Sequence, residues 1–543
     1  MQQQEISELE IAVDQLFAPS EVPTYNDWDQ CYTRYGVLPV LRFLAGTHPD
    51  LSTSALNFFY RKLQSPEYNP SRPIKTIAML YRNMRLGGTE RIMVLQMKMF
   101  TEMGLKVVLI TDIPPDDNEY SVPPSVQRIM IPEEKDRLNR ITALAEVLKK
   151  ESVDLLYLHG VQTSFFDILT CRFGVGIPCI CHFHFNFSFK LSQNNHSIFS
   201  KHLPIYKLCN LVICLSRVNA AFFQLGGCNA VYLPNPLTFS IAETVKHPET
   251  RIPRTILWMG RISAQKNPVS AAQIIKLVSD EIPEAKLIMV GAAVVKGDKP
   301  VEKQLQQFIS KNNLENQVFL AGATNTPQFY YQQADLFLST SATEGFPCTF
   351  GEALCHGLPV VAFDLPCVEY LREPENGIRV VEQNDIHGAA KSIVDIFSRP
   401  DYYRQLSNQA LKIAEKYSDY DFPSTWRNIF ASLEKSEKFR DNDPDLQSIR
   451  LMLEQLLKDS MFRMNSLDSL RKKLQKDIGL LKKERDKLKK ERDSLKKSLS
   501  YRLGRALTWF PRKLRGGVRC LKEHGVSYTF RRLLQKLRII PMR

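Results

Sequence analysis

The chain has 543 residues, with 72 lysines and arginines against 58 acidic side chains and a net charge of +14. That length predicts two to four domains, and 44% hydrophobic residues is enough for ordinary cores. No apolar run reaches the roughly 18 residues of a membrane-spanning helix, and Met1-Gln-Gln-Gln-Glu lacks the basic and then apolar start of a secretory signal. Eleven cysteines in so long a chain, with Cys179, Cys181 and Cys214 inside predicted strands, read as reduced thiols of a cytoplasmic protein.

Residues 1–73 carry helical patches, Ile6–Phe17 and Leu56–Leu63, and end in the linker Tyr68-Asn-Pro-Ser-Arg-Pro73. Strands then alternate with helices: Ile77–Tyr81, Lys106–Thr111, Val153–His159, Pro178–Phe183 and Leu211–Leu215. Leu233-Pro-Asn235-Pro236 punctuates this first unit, 74–240. A second alternation, 250–437, runs through Thr255–Met259, Lys286–Gly291, Val318–Gly322, Asp335–Ser339 and Pro359–Asp364, and a helix with Trp426 and Phe430 closes it. Such βα alternation predicts parallel sheets covered on both faces.

After Asp441-Asn-Asp-Pro444, an N-cap aspartate and a first-turn proline, leucines recur every seven residues at Leu446, Leu453, Leu467, Leu474, Leu481, Leu488 and Leu495, with Ser460 the gap. The repeat predicts an α-helical coiled coil over 445–500 and a homo-oligomer, although arginines hold half of the companion positions. Residues 501–543 form a basic amphipathic tail, in which Arg502, Arg505, Arg512 and Lys513 accompany Trp509 and Phe510. From Asp445 to Arg543 there are 28 basic and 10 acidic side chains, a net +18 that leaves −4 for the remainder. An anionic membrane surface is the expected partner of the tail, with nucleic acid set aside.

Three loops carry candidate chemistry. Glu344 and Glu352 lie eight positions apart across Gly345-Phe346-Pro347-Cys348, between the strand ending at Ser339 and a short helix, Thr349–His356. Ligands of open α/β sheets bind beyond the carboxyl ends of strands, where carboxylates accept hydrogen bonds from hydroxyls. Gly260-Arg261 and Lys266 follow another strand and place a guanidinium and an ammonium near a diphosphate. Gly87 and Gly88 precede a helix and present backbone N–H groups to an anion.

Gly-Gly-x-Glu-Arg at 87–91, Gly-Arg-x5-Lys at 260–266 and Glu-x7-Glu at 344–352, in this order, resemble glycosyltransferase family 4 over about residues 74–429. The resemblance implies the α/β GT-B fold, two Rossmann-like domains facing across a cleft, and a retaining, metal-independent transfer of a sugar from a nucleoside diphosphate sugar to a glycan or lipid-linked acceptor. Cell-surface polysaccharide or glycoconjugate assembly on the inner face of the membrane is the implied setting, with no cofactor beyond the donor. It implies that Arg261 and Lys266 face the diphosphate, that Glu344 holds the donor sugar and Glu352 the ribose, and that backbone N–H groups of Gly345, Phe346, Pro347-Cys348 meet sugar hydroxyls. The family commonly has a histidine after the Pro178–Phe183 strand that contacts the sugar; His184 is the first choice and His182 the second, while His159 is a candidate acceptor contact. The rival reading is a catalytically degenerate GT-B scaffold; a GT-B epimerase is disfavoured by the Glu-x7-Glu context.

Two signals are discounted. Asp27-Trp-Asp29 has the form of the metal motif of the other main glycosyltransferase fold, but no strand leads into it. Cys179-Ile-Cys181-His182-Phe-His184 superficially resembles a metal cluster, but on a strand its cysteines and histidines face opposite sides. No metal is therefore expected. The family's glycine-rich turn after the second donor-domain strand is altered here to Gly291-Ala-Ala.

Overall fold

A computed structural model describes residues 25–47, 53–63, 65, 71–117, 119–133, 135–160, 165–186, 203–241, 253–365, 368–439, 443–497, 519 and 522. The Ile6–Phe17 patch, half of the linker and nearly all of the basic tail lie outside them. The chain divides into two units, Met1–Glu454 and Gln455–Arg543.

The first unit holds two parallel sheets. In the first, β1 (Thr76–Leu80), β2 (Lys106–Thr111), β3 (Gln127–Met130), β4 (Leu155–His159), β5 (Cys179–Phe183), β6 (Leu211–Cys214) and β7 (Ala230–Tyr232) take the order β3-β2-β1-β4-β5-β6-β7. In the second, β8 (Thr255–Met259), β9 (Lys286–Val290), β10 (Val318–Gly322), β11 (Leu336–Ser339), β12 (Val360–Phe363) and β13 (Ile378–Val381) take the order β10-β9-β8-β11-β12-β13. This is the expected pair of Rossmann-like domains. Alternate residues of one strand enter opposite cores: Ala78 and Leu80 pack on one face, Ile77 and Met79 on the other. Burial on both faces is why these strands read as unbroken apolar runs. The strands that sequence pattern missed, β3, β7 and β13, lie at sheet edges; β3 and β13 each carry exposed positions.

Three helices, Tyr25–Tyr35, Val37–Thr47 and Thr53–Lys62, add Trp28, Leu41, Phe58 and Phe59 to one core of the first sheet. The Asp27-Trp-Asp29 segment is structural: Trp28 is in that core and Asp29 pairs with Lys62 at 2.7 Å. The helix Phe422–Glu434, although contiguous with the second domain, packs on the first. Trp426 meets Phe100 edge-on at 4.9 Å and Tyr157 at 5.2 Å, and Glu434 accepts a hydrogen bond from the Ile74 N–H at 2.8 Å. Compactness therefore gives this segment to the first domain rather than to the expected span 250–437.

The helix Pro444–Lys497 occupies the stretch read as a coiled coil. Asp443 caps it by accepting from the backbone N–H groups of Asp445 and Leu446. The other oxygen of Asp443 pairs with Arg217 at 2.8 Å, and Arg217 also binds Glu369 of the second domain at 2.9 Å. The first two leucines of the heptad series, Leu446 and Leu453, pack on the first domain's core together with Ile449. Their seven-residue spacing here serves docking on a domain. In the second unit, Leu480 and Leu488 are exposed on this helix. The nine described cysteines form no disulfide, and no described helix is long and apolar enough to cross a membrane.

Trp426→Ala should destabilise the chain by about 3–5 kcal/mol, the usual cost of deleting a buried tryptophan, because its indole is 1% exposed among aromatic rings of the first domain. Urea unfolding measures this; a loss below about 1 kcal/mol would contradict the packing of this helix on the first sheet.

Candidate active site

In each sheet the strand order reverses at one pair of neighbours, β1 with β4 and β8 with β11. Connections leave such a pair toward opposite faces, so a crevice opens at its carboxyl end. The loop with Gly87 and Gly88 follows β1, and His159 ends β4. Gly260–Lys266 follows β8, and Glu344–Cys348 follows β11. The expected site residues thus come from the two switch points and from β5 beside one of them.

On the second domain the loops after β8 and β11 are laced together. The Ala342 N–H donates to the Gln265 carbonyl at 2.8 Å, and the Gln265 amide donates to the Thr343 carbonyl at 3.1 Å. The Thr340 hydroxyl lies 3.1 and 2.8 Å from the carbonyls of Lys266 and Asn267, and accepts from the Trp258 indole at 3.0 Å. This lacing delivers the Lys266 ammonium to the Glu344 carboxylate at 2.5 Å. Glu344 is buried and Lys266 partly so. Arg261 is exposed, with its Nε 3.4 Å from Asp298. Gly291, in the altered turn, has a packing reason: at φ 141 an added Cβ would lie 1.9 Å from the Gly260 carbonyl oxygen.

Several of the site residues bring the two domains together across the cleft. A Cβ on Gly345 would lie 2.3 Å from the His184 carbonyl oxygen. The Cys348 thiol lies 3.8 Å from the Gly88 carbonyl. Arg91 reaches from the Gly88–Glu102 helix to Glu352 at 2.7 Å. The eight-residue helix Cys348–Cys355 presents Glu352 from its interior, and the Phe346 ring is core against Tyr370 at 4.5 Å. Phe346 therefore offers a ligand only its backbone. Pro347 is the residue before that helix and has no N–H to give.

Glu352 is buried and almost fully engaged. One oxygen accepts from Arg91 at 2.7 Å and from Thr238 at 2.8 Å; the other accepts from Tyr331 at 2.7 Å. Arg91 also donates to the Thr238 carbonyl at 3.3 Å and stands over the Phe239 ring at 4.4 Å. The sequence reading gave no role to Arg91, Thr238 or Tyr331. Only Arg91 had a signal, as the last residue of Gly-Gly-x-Glu-Arg.

Three histidines gather at the ends of β4 and β5. Parallel pairing sets His159 opposite His182, and His184 follows on the same side of β5. The rings of His182 and His184 stack at 4.0 Å, and His159 Nδ1 lies 3.0 Å from His184 Nε2. His182 is held by the Tyr157 hydroxyl at 2.7 Å and is 1% exposed, whereas His184 is partly exposed and meets the opposite domain. Burial pushes all three imidazoles down, His184 to about 3, so they are neutral near pH 7. Cys179 and Cys181 face the other core, as their strand positions require.

The comparisons with known proteins fit this architecture. Residues 86–236 match the model of Glycosyltransferase Family 4, and residues 242–413 match that of Glycosyl transferases group 1. The chain belongs to glycosyltransferase family 4. It is 33% identical over 200 residues to a poly(glycerol-phosphate) α-glucosyltransferase of Bacillus subtilis, covering 35% of this chain and 29% of that protein. It is 32% identical over 139 residues to a poly(ribitol-phosphate) α-N-acetylglucosaminyltransferase of Staphylococcus aureus, covering 25% and 28%. The matched stretches thus span less than a third of these two curated relatives. HepE of Anabaena with UDP and glucose superposes with a TM-score of 0.54 at 19% identity, over 66% of this chain and 99% of that one. A TarM variant of S. aureus gives 0.55 at 16% identity, over 66% and 100%. At such identities these two likenesses establish the GT-B fold alone.

Two predictions arise here. Arg91→Met should lower stability by about 3 kcal/mol, because it leaves the buried Glu352 charge without its cation; adding Glu352→Gln should recover much of the loss in urea unfolding, and strict additivity would refute the pairing. Burial, with Glu119 nearby, pushes the Glu90 carboxyl from 4.5 up to about 7. The folded chain then holds this proton where the unfolded chain has released it, so this group's contribution falls as pH rises from about 4.5 to 7. Relative to Glu90→Gln, the wild type should lose melting temperature across that window; parallel curves would refute the shift.

Proposed function

We propose that the protein transfers a glycosyl group from a nucleoside diphosphate sugar to a hydroxyl of a glycan or lipid-linked acceptor in the assembly of a cell-surface polymer, with retention at the anomeric carbon. The observation that carries this reading is the Lys266–Glu344 pair at the β8/β11 switch point, opposite the Gly88 and His184 loops. The names of the two bacterial relatives, both α-transferases acting on polyol-phosphate polymers, favour an α-linked product and an acceptor of that class. HepE, crystallised with UDP and glucose, favours a UDP-linked donor.

In the proposed reaction the bond from the anomeric carbon to the diphosphate oxygen breaks, and the acceptor hydroxyl attacks from the same face without a protein nucleophile, its proton passing to the departing diphosphate oxygen. Negative charge grows on the departing diphosphate. Lys266, aimed by Glu344, and Arg261, held on a mobile-length side chain at the surface, meet that charge as preorganised cations. Glu344 keeps its second oxygen for a donor-sugar hydroxyl. The Gly345 and Cys348 backbone, against the His184 carbonyl, bounds the sugar's place between the domains. Glu352 takes a supporting part: its carboxylate has one remaining acceptor position for a ribose hydroxyl, and Arg91 fixes its orientation. The neutral His184 donates or accepts a hydrogen bond at the sugar without adding charge. No metal is required for these steps, and the nucleotide sugar is the sole small-molecule partner.

The strongly basic terminal segment suits an anionic membrane surface, which would place the enzyme at the inner face of the membrane, and exposed leucines on the long helix suit self-association. Because Leu446, Ile449 and Leu453 pack on the first domain, a truncation meant to remove targeting alone belongs after Glu454. The scaffold alternative is disfavoured by the ordered Lys266–Glu344 pair.

Lys266→Ala should lower kcat by about a hundredfold, roughly 3 kcal/mol of barrier, with the circular dichroism spectrum kept. Transfer by the wild type should persist in EDTA. Near-normal turnover in the variant would reject the assigned site, and a chelator-induced loss restored by magnesium or manganese would reject the metal-free step.

A further inference from the structure

The three histidines at the ends of β4 and β5 have a capacity beyond the sugar contact proposed for His184. One ring nitrogen from each of His159, His182 and His184 lies within 4.8 Å of the other two, and His159 Nδ1 and His184 Nε2 are already 3.0 Å apart. A tetrahedral ion with Zn–N bonds of about 2.0–2.1 Å needs nitrogens roughly 3.4 Å apart. Closing the widest of these separations to that spacing takes up to about 1.4 Å of side-chain movement. We propose that His159, His182 and His184 form an open three-imidazole site for a zinc-type divalent transition-metal ion, with its fourth position turned toward the cleft.

The surroundings support the same assignment. Buried polar atoms are normally hydrogen-bonded, yet His182 Nε2 is buried and has no partner. His182 Nδ1 is held by the Tyr157 hydroxyl at 2.7 Å, and Gln96 holds that hydroxyl at 3.2 Å. Gln96 Oε1 is also buried without a partner. Rotating the Gln96 amide, whose two ends are interchangeable in shape, pairs that oxygen. Tyr157 then donates to Gln96 Oε1 and accepts from His182 Nδ1–H, which leaves a lone pair on His182 Nε2. A metal-bound histidine characteristically donates its second N–H to such an outer partner. The donor set is chemically selective: three imidazoles suit zinc, cobalt, nickel or copper and not magnesium or calcium. Cys179 and Cys181 contribute nothing, because they face the opposite core. The histidines of the discounted Cys-x-Cys-His-x-His stretch thus gain their third ligand from the neighbouring strand, through the His159–His182 register.

The test is equilibrium dialysis of the full chain against zinc, followed by substitution of cobalt. We expect one tightly held ion per chain, the intense visible absorption of tetrahedral cobalt, and a zinc-dependent rise in melting temperature. His184→Ala, at the partly exposed member, and His159→Gln should each lose at least tenfold in affinity and the cobalt band. Tyr157→Phe should weaken binding while keeping all three ligands. Cys348→Ser should bind as the wild type does, which separates the histidine site from adventitious thiol binding. Absence of a retained ion in the full chain, or retention unchanged in both folded histidine variants, would overturn the proposal. Should either histidine variant fail to fold, retention unchanged in Tyr157→Phe together with loss in Cys348→Ser would overturn it equally.

Discussion

The two halves of this chain meet at a buried carboxylate. Glu352 receives donors from three stretches distant in sequence: Arg91 on the first domain, Thr238 in the connection and Tyr331 on the second domain. An ionised carboxylate removed from water is costly unless its lone pairs are filled. Three donors satisfy it only while the domains stay together, so the electrostatics of one side chain constrain the width of the cleft. Arg217 repeats the device on the other side of the connection, joining Glu369 to the cap of the long helix through Asp443. Both pairs are interdomain links whose value lies in geometry more than in net stabilisation.

Given that constraint, the glycines acquire specific reasons. Gly345 permits the His184 carbonyl to approach to a distance that any β-carbon would block. Gly291 does the same for Gly260 between β8 and β9, with a positive φ that a side chain would resist. The first lets the two domains close on each other at the cleft, and the second lets the Arg261 loop approach its neighbouring strand. The turn altered to Gly291-Ala-Ala thus keeps the one glycine whose backbone contact the second domain requires.

The interior strands were legible because burial on both faces leaves largely apolar runs of four or five residues bounded by turn signals, as in Ile77–Leu80 and Thr255–Met259. The edge strands β3, β7 and β13 were not, because they are only three or four residues long and two of them carry exposed positions. At the site, the loops after β1, β8 and β11 could be read from glycines and charges next to strand ends. Arg91 could not be assigned, since its partner lies 261 residues away. Nor could the histidine triad: the sequence shows His182 and His184 as neighbours on one face, but His159 joins them only through β4–β5 register. The heptad leucines illustrate the reverse problem. A seven-residue apolar spacing fits both a coiled-coil seam and a helix docking on a domain, and Leu446 and Leu453 take the second course.

The two walls of the cleft differ in charge. The second domain supplies the cations, Lys266 and Arg261, where a diphosphate must be neutralised. Facing it, the first domain supplies three imidazoles whose burial keeps them neutral, so they add no attraction for phosphate at the sugar end. In the proposed reaction a donor spanning this gradient would be drawn by its phosphates to the second domain, with its sugar left against neutral hydrogen-bonding groups. On the proposed reading, the orientation of an anionic donor follows from where the fold carries charge: on the partly exposed loop after β8, and not on the histidines at the ends of β4 and β5.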